Sequence, residues 1–336
     1  MANRSAPRGP ARLLTALLTV LLGAAALTAC GGAASEGENE TEGAASGAFP
    51  RTLDTVMGEV EIPARPQRVV VLDTGELDDV TMLGITPVGA VSPHMKTEGG
   101  FPAYLKDKVD GVTDVGPLLE PDLEKIAGLK PDLILSSKVR HEKVYDKLKA
   151  IAPTVFTETT GGPWKANLKV HAEALGEEKR AAAAMKRYEQ RAKHLGEAVE
   201  KKAGTMPSAS VVRFVAGPTR LYTKASFSGV VLDDIGLARP ASQSSTDPAE
   251  PMLDVSPEQI DKADADLVFV TVADTPAKTR KKDVTTNPVW QDLPAVKNGK
   301  VFEVPDETWM SGIGIQAAGH MLADVAEATG VELPEK

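Results

Sequence analysis

The amino-acid sequence predicts an α/β protein with two lobes that are joined by one long helix. Each lobe is predicted to be a mainly parallel sheet flanked by helices. Short runs of β-branched residues alternate with helical spacings, which is typical of parallel sheets buried on both faces. The same order of elements begins again after residue 205. Between the two halves, residues 178–202 place apolar side chains at the three-to-four-residue spacing of one helix face and contain no proline.

The first half alternates strands and helices. Its apolar runs predict strands at residues 69–72, 88–91, 132–135 and 154–156. Helical spacing predicts helices over residues 76–83 and 121–129, and a third helix is marked by Val144, Leu148 and Ile151.

The second half repeats this plan. Strands are predicted at residues 210–215, 267–272 and 299–304, and helices at 229–235 and 315–328. The intervening helix would span roughly 37 Å at 1.5 Å per residue. It is either a core helix of one domain or, as we prefer, a strut that packs on both lobes.

The first 30 residues predict export and lipidation. Arg4, Arg8 and Arg12 precede an apolar run over residues 13–27, and Leu-Thr-Ala leads to Cys30, the only cysteine. These features predict a secretory signal and are typical of a bacterial lipoprotein processing site. The alternatives are an ordinary signal with an incidental cysteine or a membrane helix, for which the run is short.

We therefore expect a signal peptide over residues 1–29, lipidation of Cys30, and a flexible tether over residues 30–48 without large apolar residues. The N-terminal lobe would follow over residues 49–176, the connecting helix over 177–203 and the C-terminal lobe over 204–336. The protein would be anchored to the extracytoplasmic face of a bacterial cell membrane.

Composition and missing motifs exclude several function classes. The net charge of −9 argues against a nucleic-acid partner. Dinucleotide, phosphate-loop and nucleophile-elbow motifs are absent from the sequence, so it predicts no enzyme reaction and no intrinsic cofactor. The five histidines lack metal-binding spacing, although a three-histidine site assembled from distant loops stays possible.

A short repeat places one glutamate in each half. Glu124 and Glu258 each lie two residues before an isoleucine and eight before an aspartate that opens a strand. Each glutamate falls in the first turn of a predicted helix, where the helix dipole favours an acid by roughly 0.3–1 kcal/mol. They are either simple capping-turn residues or a matched pair of acidic contacts on one face.

Several stretches together resemble a known family over about residues 50–333. They include Leu129-Lys130-Pro131-Asp132-Leu133-Ile134, Ile151-Ala152-Pro153-Thr154 and Pro288-Val289-Trp290-Gln291-Asp292-Leu293. The chain resembles the substrate-binding lipoproteins of iron–siderophore and vitamin B12 ABC importers, the class III periplasmic binding protein fold. The resemblance implies a monomer with a ligand cleft between the lobes, little closure, and docking of Glu124 and Glu258 into an ABC permease.

The resemblance also implies a Fe(III)–siderophore ligand and suggests which residues contact it. Arg140 and Arg213 are the preferred cations, and Arg220 is a weaker candidate. Arg213 interrupts an apolar strand, so it either pairs with an acid or reaches the ligand. The expected aromatic contacts, chosen because they lie on loops near strand ends, are Trp164, Tyr222, Phe227 and Trp309.

Only two or three cations are expected in the cleft, which favours a hydroxamate siderophore of the ferrioxamine or ferrichrome type over a carboxylate-rich one. Cobalamin, haem or zinc in the same fold are the alternative ligands. A surface-anchored α/β enzyme is the remaining alternative.

Overall fold

The structure is a computed structural model that describes residues 48–93, 100–275 and 277–333. The predicted signal peptide, Cys30 and nearly all of the tether lie outside the described residues, as does His94.

The first lobe contains a hairpin and a five-stranded parallel sheet with the strand order β5-β4-β3-β6-β7. The three valines of its central strand are fully buried, as expected of a parallel strand covered by helices on both faces. The strands of this lobe are β1 Arg51–Thr55, β2 Gly58–Ile62, β3 Val69–Val71, β4 Gly89–Ser92, β5 Thr113–Pro117, β6 Leu133–Ser137 and β7 Thr154–Thr157.

The second lobe contains a mixed sheet, whereas the sequence predicted a mainly parallel one. Its strands are β8 Ala209–Phe214, β9 Thr219–Tyr222, β10 Met252–Val255, β11 Leu267–Val272 and β12 Val301–Glu303, in the order β10-β9-β8-β11-β12. Strands β8, β11 and β12 are parallel, but β9 is antiparallel to both of its neighbours. Only four residues connect β8 to β9, which is too short for a parallel crossover.

The helices cover both sheets. They are α1 Thr74–Met82, α2 Leu123–Gly128, α3 Lys138–His141, α4 Tyr145–Lys149, α5 Trp164–Leu175, α6 Glu178–Ala203, α7 Phe227–Ile235, α8 Lys281–Thr285, α9 Pro288–Asp292, α10 Pro294–Lys297 and α11 Ile315–Thr329. Short 3-10 turns span Ala103–Lys108, Glu142–Val144, Ala241–Gln243 and Pro257–Ala263, and a π-helical turn spans Glu307–Ser311. Among the described residues, no helix is long and apolar enough to span a bilayer.

Helix α6 connects the two lobes. Its 26 residues extend about 39 Å, and its buried stripe packs on α5 of the first lobe and on α7 and α11 of the second. Gly196 lies at the contact with α7, where a Cβ atom would stand 1.9 Å from the carbonyl oxygen of Ile235. Glycine is therefore what allows the strut to approach α7 this closely.

Candidate ligand-binding cleft

A cavity of about 1250 Å³ lies between the lobes and is lined by residues of both. Its walls include the regions that follow β6 and β8, which agrees with the rule that ligands bind beyond the carboxyl ends of strands in α/β sheets. A smaller cavity of about 400 Å³, bordered by Glu59 and Lys149, lies away from these strand ends and contains none of the predicted site residues.

Arg140 enters the cavity from the first lobe. It belongs to α3, which begins directly after β6, and its side chain is 24% exposed. Its Nε donates to Oδ2 of Asp73 at 2.8 Å. Asp73 is fully buried and also caps α1, since it accepts a hydrogen bond from the backbone N–H of Thr74 at 2.7 Å. Its role at the start of α1 therefore fixes the Asp73 carboxylate, which in turn holds the guanidinium of Arg140.

Arg213 enters from the second lobe, near the carboxyl end of β8. Its Nε and Nη2 donate to the two carboxylate oxygens of Asp306, both at 2.7 Å, and its Nη1 donates to the hydroxyl oxygen of Tyr222 at 3.1 Å. Burial lowers the pKa of this guanidinium, but the charge of Asp306, the neighbouring Tyr222 and the hydrogen bonds to both residues together outweigh burial and raise that pKa above its usual value. Arg213 is thus both paired with an acid and placed at the cavity, so the two interpretations of the sequence are compatible.

Two more cations line the second lobe. Arg220 on β9 contacts Asp254 of the paired strand β10, with 3.5 Å between Nε and Oδ1. Lys224 follows β9 and its Nζ donates to Asp233 at 2.7 Å. No sequence pattern marks Lys224, whose only signal is its position two residues after Tyr222.

The predicted aromatic residues occupy different places. Tyr222 lines the cavity and is partly exposed, whereas Phe227 and Trp309 border it with side chains that are almost or fully buried. The Trp309 ring stacks on Phe269 at 4.5 Å, and its indole N–H donates to Asp324 at 2.7 Å. Trp309 therefore supports the wall from behind instead of presenting its face.

Trp164 is outside the cavity lining. It begins α5 and is 1% exposed, because its ring packs edge-on between Tyr188 of α6 and Phe227 of α7. The sequence predicted a loop near a strand end for Trp164, whereas a helix begins at this residue. We leave Trp164 out of the proposed ligand contacts.

Two exposed apolar side chains complete the walls. Val139 in the first lobe is 60% exposed and Met252 in the second is 37% exposed, and both line the cavity. Val56 and Leu119 are exposed to a similar degree but lie outside the cavity lining. Exposed apolar side chains in the cavity walls suit a ligand with apolar parts. Neither stood out in the sequence, since a single valine or methionine carries no pattern.

The charges along the cavity cancel. Among the described lining residues, the positive ones are Arg140, Arg213, Arg220 and Lys224, and the negative ones are Asp73, Glu158, Asp233 and Asp234. Each of the four cations also contacts a carboxylate within 3.5 Å. The cleft therefore offers many directed N–H donors but little net positive charge.

The two matched glutamates are exposed and lie outside the cavity lining. Asp122 caps α2 by accepting from the backbone N–H of Glu124 at 3.1 Å. Glu258 lies in the first turn of the 3-10 helix Pro257–Ala263, where Gln259 completes a capping box with Ser256. Bonds from Ser256 and from the backbone lower the pKa of Glu258. Both glutamates are thus exposed residues in the first turn of a helix.

Histidines do not contribute to the cleft in the described part of the chain. His141 is buried between Ser136 and the carbonyl of Leu118, and His171 is paired with Asp79 at 2.7 Å. Within residues 48–93, 100–275 and 277–333, no group of three or more histidine, cysteine, aspartate or glutamate side chains is placed to hold a metal ion.

Comparison with known proteins identifies the family. A family model described as a periplasmic binding protein matches residues 69–308. The chain belongs to the periplasmic binding protein family. The resemblance seen in the sequence is thereby confirmed, and so is the α/β fold class.

Three members of this family show how far the similarity extends. A probable siderophore-binding lipoprotein of Bacillus subtilis is 38% identical, with 93% of this chain and 96% of the relative covered. A Fe(3+)-citrate-binding protein of the same organism is 30% identical over 93% of this chain and 96% of the relative. The structure of Staphylococcus aureus SirA complexed with staphyloferrin B matches with a TM-score of 0.78 and 34% identity, covering 84% of this chain and all of that one.

Proposed function

We propose that the protein is a solute-binding lipoprotein that captures a ferric siderophore and delivers it to an ABC permease for iron uptake. The observation that carries this proposal is the cavity of about 1250 Å³ with an arginine from each lobe directed at it. This volume exceeds the roughly 300–1000 Å³ of ordinary small-molecule sites, so it suits a bulky ligand. The names of the relatives, which are siderophore- and ferric-citrate-binding proteins, support the same ligand class.

The proposed ligand brings its own iron ligands, and the protein would not coordinate the metal. A siderophore surrounds Fe(III) with oxygen atoms that carry partial negative charge on their outer side. Arginine suits these atoms because its planar guanidinium donates several hydrogen bonds and is weakly hydrated. The cavity lining contains neither histidine nor cysteine among the described residues, which disfavours a bare zinc ion.

We propose a hydroxamate siderophore as the preferred ligand. Three hydroxamates neutralise Fe(III), whereas three catecholates leave the complex strongly negative. A cleft whose cations are all paired with carboxylates gains little from a highly charged ligand, yet it still offers directed donors and apolar walls. Val139 and Met252 would contact the apolar linkers of such a ligand.

We propose that Cys30 carries the lipid anchor, after removal of residues 1–29, and that residues 30–48 tether the binding lobes. The lobes would span residues 49–176 and 204–336, joined by the helix over residues 177–203. The description of the Bacillus subtilis relative as a lipoprotein supports this anchoring. The anchored protein would act as a monomer on the extracytoplasmic face of the cell membrane.

We further propose that Glu124 and Glu258 dock into the permease. Their support is their matching position, one per lobe, in the first turn of a helix and exposed to solvent. An acid held in this way keeps its charge and its direction, which suits recognition by a basic pocket.

Titration of the purified protein with ferrioxamine B tests the ligand class. Quenching of tryptophan fluorescence should show a sub-micromolar midpoint, and metal-free desferrioxamine should bind more weakly. Ferric citrate, a ferric tris-catecholate, cobalamin, haem and zinc form the comparison panel. Tight binding of cobalamin, haem or zinc without response to any ferric siderophore contradicts the proposed function. Preference for a catecholate or citrate complex contradicts only the hydroxamate class.

A further inference from the structure

The two arginines of the cleft are held by aspartates that occupy equivalent places in the two lobes. Asp73 is the residue directly before α1, and Asp306 is the residue directly before the π-helical turn Glu307–Ser311. Both carboxylates are buried, with 1% and 8% of the residue exposed. Each aspartate therefore connects a cleft arginine to the start of a helical segment.

These two segments touch each other below the cavity. The hydroxyl of Thr74, the first residue of α1, donates to the carbonyl oxygen of Ser311, the last residue of the π-helical turn. The hydroxyl of Ser311 in turn donates to the carbonyl oxygen of Asp306 at 3.2 Å. One continuous set of contacts thus runs between the two guanidiniums through the floor of the cleft.

We propose that Asp73 and Asp306 are positioning residues for ligand binding, and that the Thr74–Ser311 contact couples the two arginines they hold. The inference rests on the proposed function, in that the arginines bind the ligand. It adds that the two aspartates affect the affinity for the ligand although they need not touch it. It also adds that Arg140 and Arg213 act as one unit across the lobes.

The physical reason is preorganisation. A free arginine side chain loses about 2 kcal/mol of rotamer entropy when it is fixed, so a partner that fixes it beforehand spares the ligand that cost. The bond from Arg140 to Asp73 engages Nε, and the other four donors of this guanidinium belong to its terminal nitrogens. Asp306 holds Arg213 at two points and therefore fixes the plane of that guanidinium.

The test uses Asp73→Asn and Asp306→Asn. Asparagine caps a helix as well as aspartate does, so the first substitution removes the charge and keeps the start of α1. Each variant should bind ferrioxamine B about tenfold more weakly, in line with the loss of a charge-assisted bond. Asp283→Asn, which removes the partner of the exposed Arg280 outside the cavity lining, is the matched control and should bind like wild type.

Rescue and coupling separate positioning from a general loss of structure. Asp306→Glu restores a carboxylate and should recover part of the affinity, whereas Asp306→Leu should not. In the double variant of Asp73→Asn and Asp306→Asn, the dissociation constant for ferrioxamine B should rise by less than the product of the two single-variant factors, because the residues are coupled. In a Thr74→Val background, which lacks the coupling hydrogen bond, the two factors in the dissociation constant should multiply. The inference is overturned if the two factors multiply when Thr74 is intact, or if both single variants bind with unchanged affinity.

A measurement without ligand decides the case if the protein fails to bind ferrioxamine B. In nitrogen-15 spectra of the free protein, the Nε–H groups of Arg140 and Arg213 should be protected from exchange with water. Asp306→Leu, which removes the acceptor, should abolish the protection at Arg213 and, through the Thr74–Ser311 contact, weaken it at Arg140. Persistent protection of Arg213 in that variant, or an unaffected Arg140, contradicts the inference whatever the ligand proves to be.

Discussion

Asp78 of α1 accepts a hydrogen bond from the backbone N–H of Gln316, the second residue of α11, at 3.0 Å although the two residues belong to different lobes. Its other carboxylate oxygen accepts from the backbone N–H of Ala317, also at 3.0 Å. Helix α11 has no side-chain cap of its own, because the residue before it is Gly314. A carboxylate of the first lobe thus caps a helix of the second. Gly314 makes room for it, since a Cβ atom there would lie 2.4 Å from Asp78.

This cap across the lobes should make Asp78 important for stability. Asp78→Ala removes the acceptor for two helix-starting N–H groups, which we expect to lower the free energy of unfolding by about 1–3 kcal/mol. Urea unfolding followed by circular dichroism measures the change. Asp110→Ala, at an exposed position, is the control and should stay within about 0.5 kcal/mol of wild type. A loss no larger than that of the control would show that the cap is energetically unimportant.

Glu76, two residues closer than Asp78 to the start of α1, should make stability depend on pH. Burial, followed by the charge of Asp73, raises the pKa of Glu76 to about 7, and His171 and Asp79 also face it. The unfolded chain releases this proton near pH 4.5, so between the two values the folded state holds a proton that the unfolded state has lost. The contribution of Glu76 is therefore complete below about pH 4.5 and is lost as the pH rises through about 7.

Glu76→Gln isolates that contribution because glutamine is uncharged at every pH. Relative to wild type, the variant should gain stability as the pH rises from 5 to 7.5, by up to about 1.4 kcal/mol per pH unit. Urea unfolding at several pH values measures this difference. A constant difference between the two proteins, or one that changes in the opposite direction, would rule out a raised pKa at Glu76.

Gly196 should be required for the contact between α6 and α7. In Gly196→Ala, the new methyl group would meet the carbonyl of Ile235, so we expect a loss of about 1–3 kcal/mol or more. Gly319→Ala in α11 is the control, since no described atom lies within 4 Å of its Cβ outside the local helix backbone. There the better helix propensity of alanine should raise stability by about 0.5–1 kcal/mol. Equal effects at the two sites would contradict the close packing of the strut.

The permease contact is predicted to be separable from ligand binding. Glu124→Ala together with Glu258→Ala should leave the affinity for ferrioxamine B unchanged, because neither residue lines the cavity. Uptake of radioactive iron as ferrioxamine B should fall in cells that carry the double variant. Glu142→Ala, on an exposed glutamate of the first lobe, provides the matched control for uptake. Loss of ligand affinity in the double variant would instead assign these residues to the cleft or the core.

The sequence predicted the buried strands well, because runs such as Val69–Val71 are unambiguous. It missed β1, β2, β5, β9 and β10, which are short and mix polar with apolar residues, as loops also do. It placed Arg140 and Arg213 at the strand ends that border the cavity. Their aspartate partners lie 67 and 93 residues away, and only the folded chain brings such residues together.

The location of iron in a crystal of the protein grown with ferrioxamine B tests the central claim most directly. An anomalous difference map at the iron edge should show one strong peak in the cavity, between Arg140 and Arg213, with all iron ligands supplied by the siderophore. An iron peak outside this cavity, or one coordinated by protein carboxylates, would contradict the account.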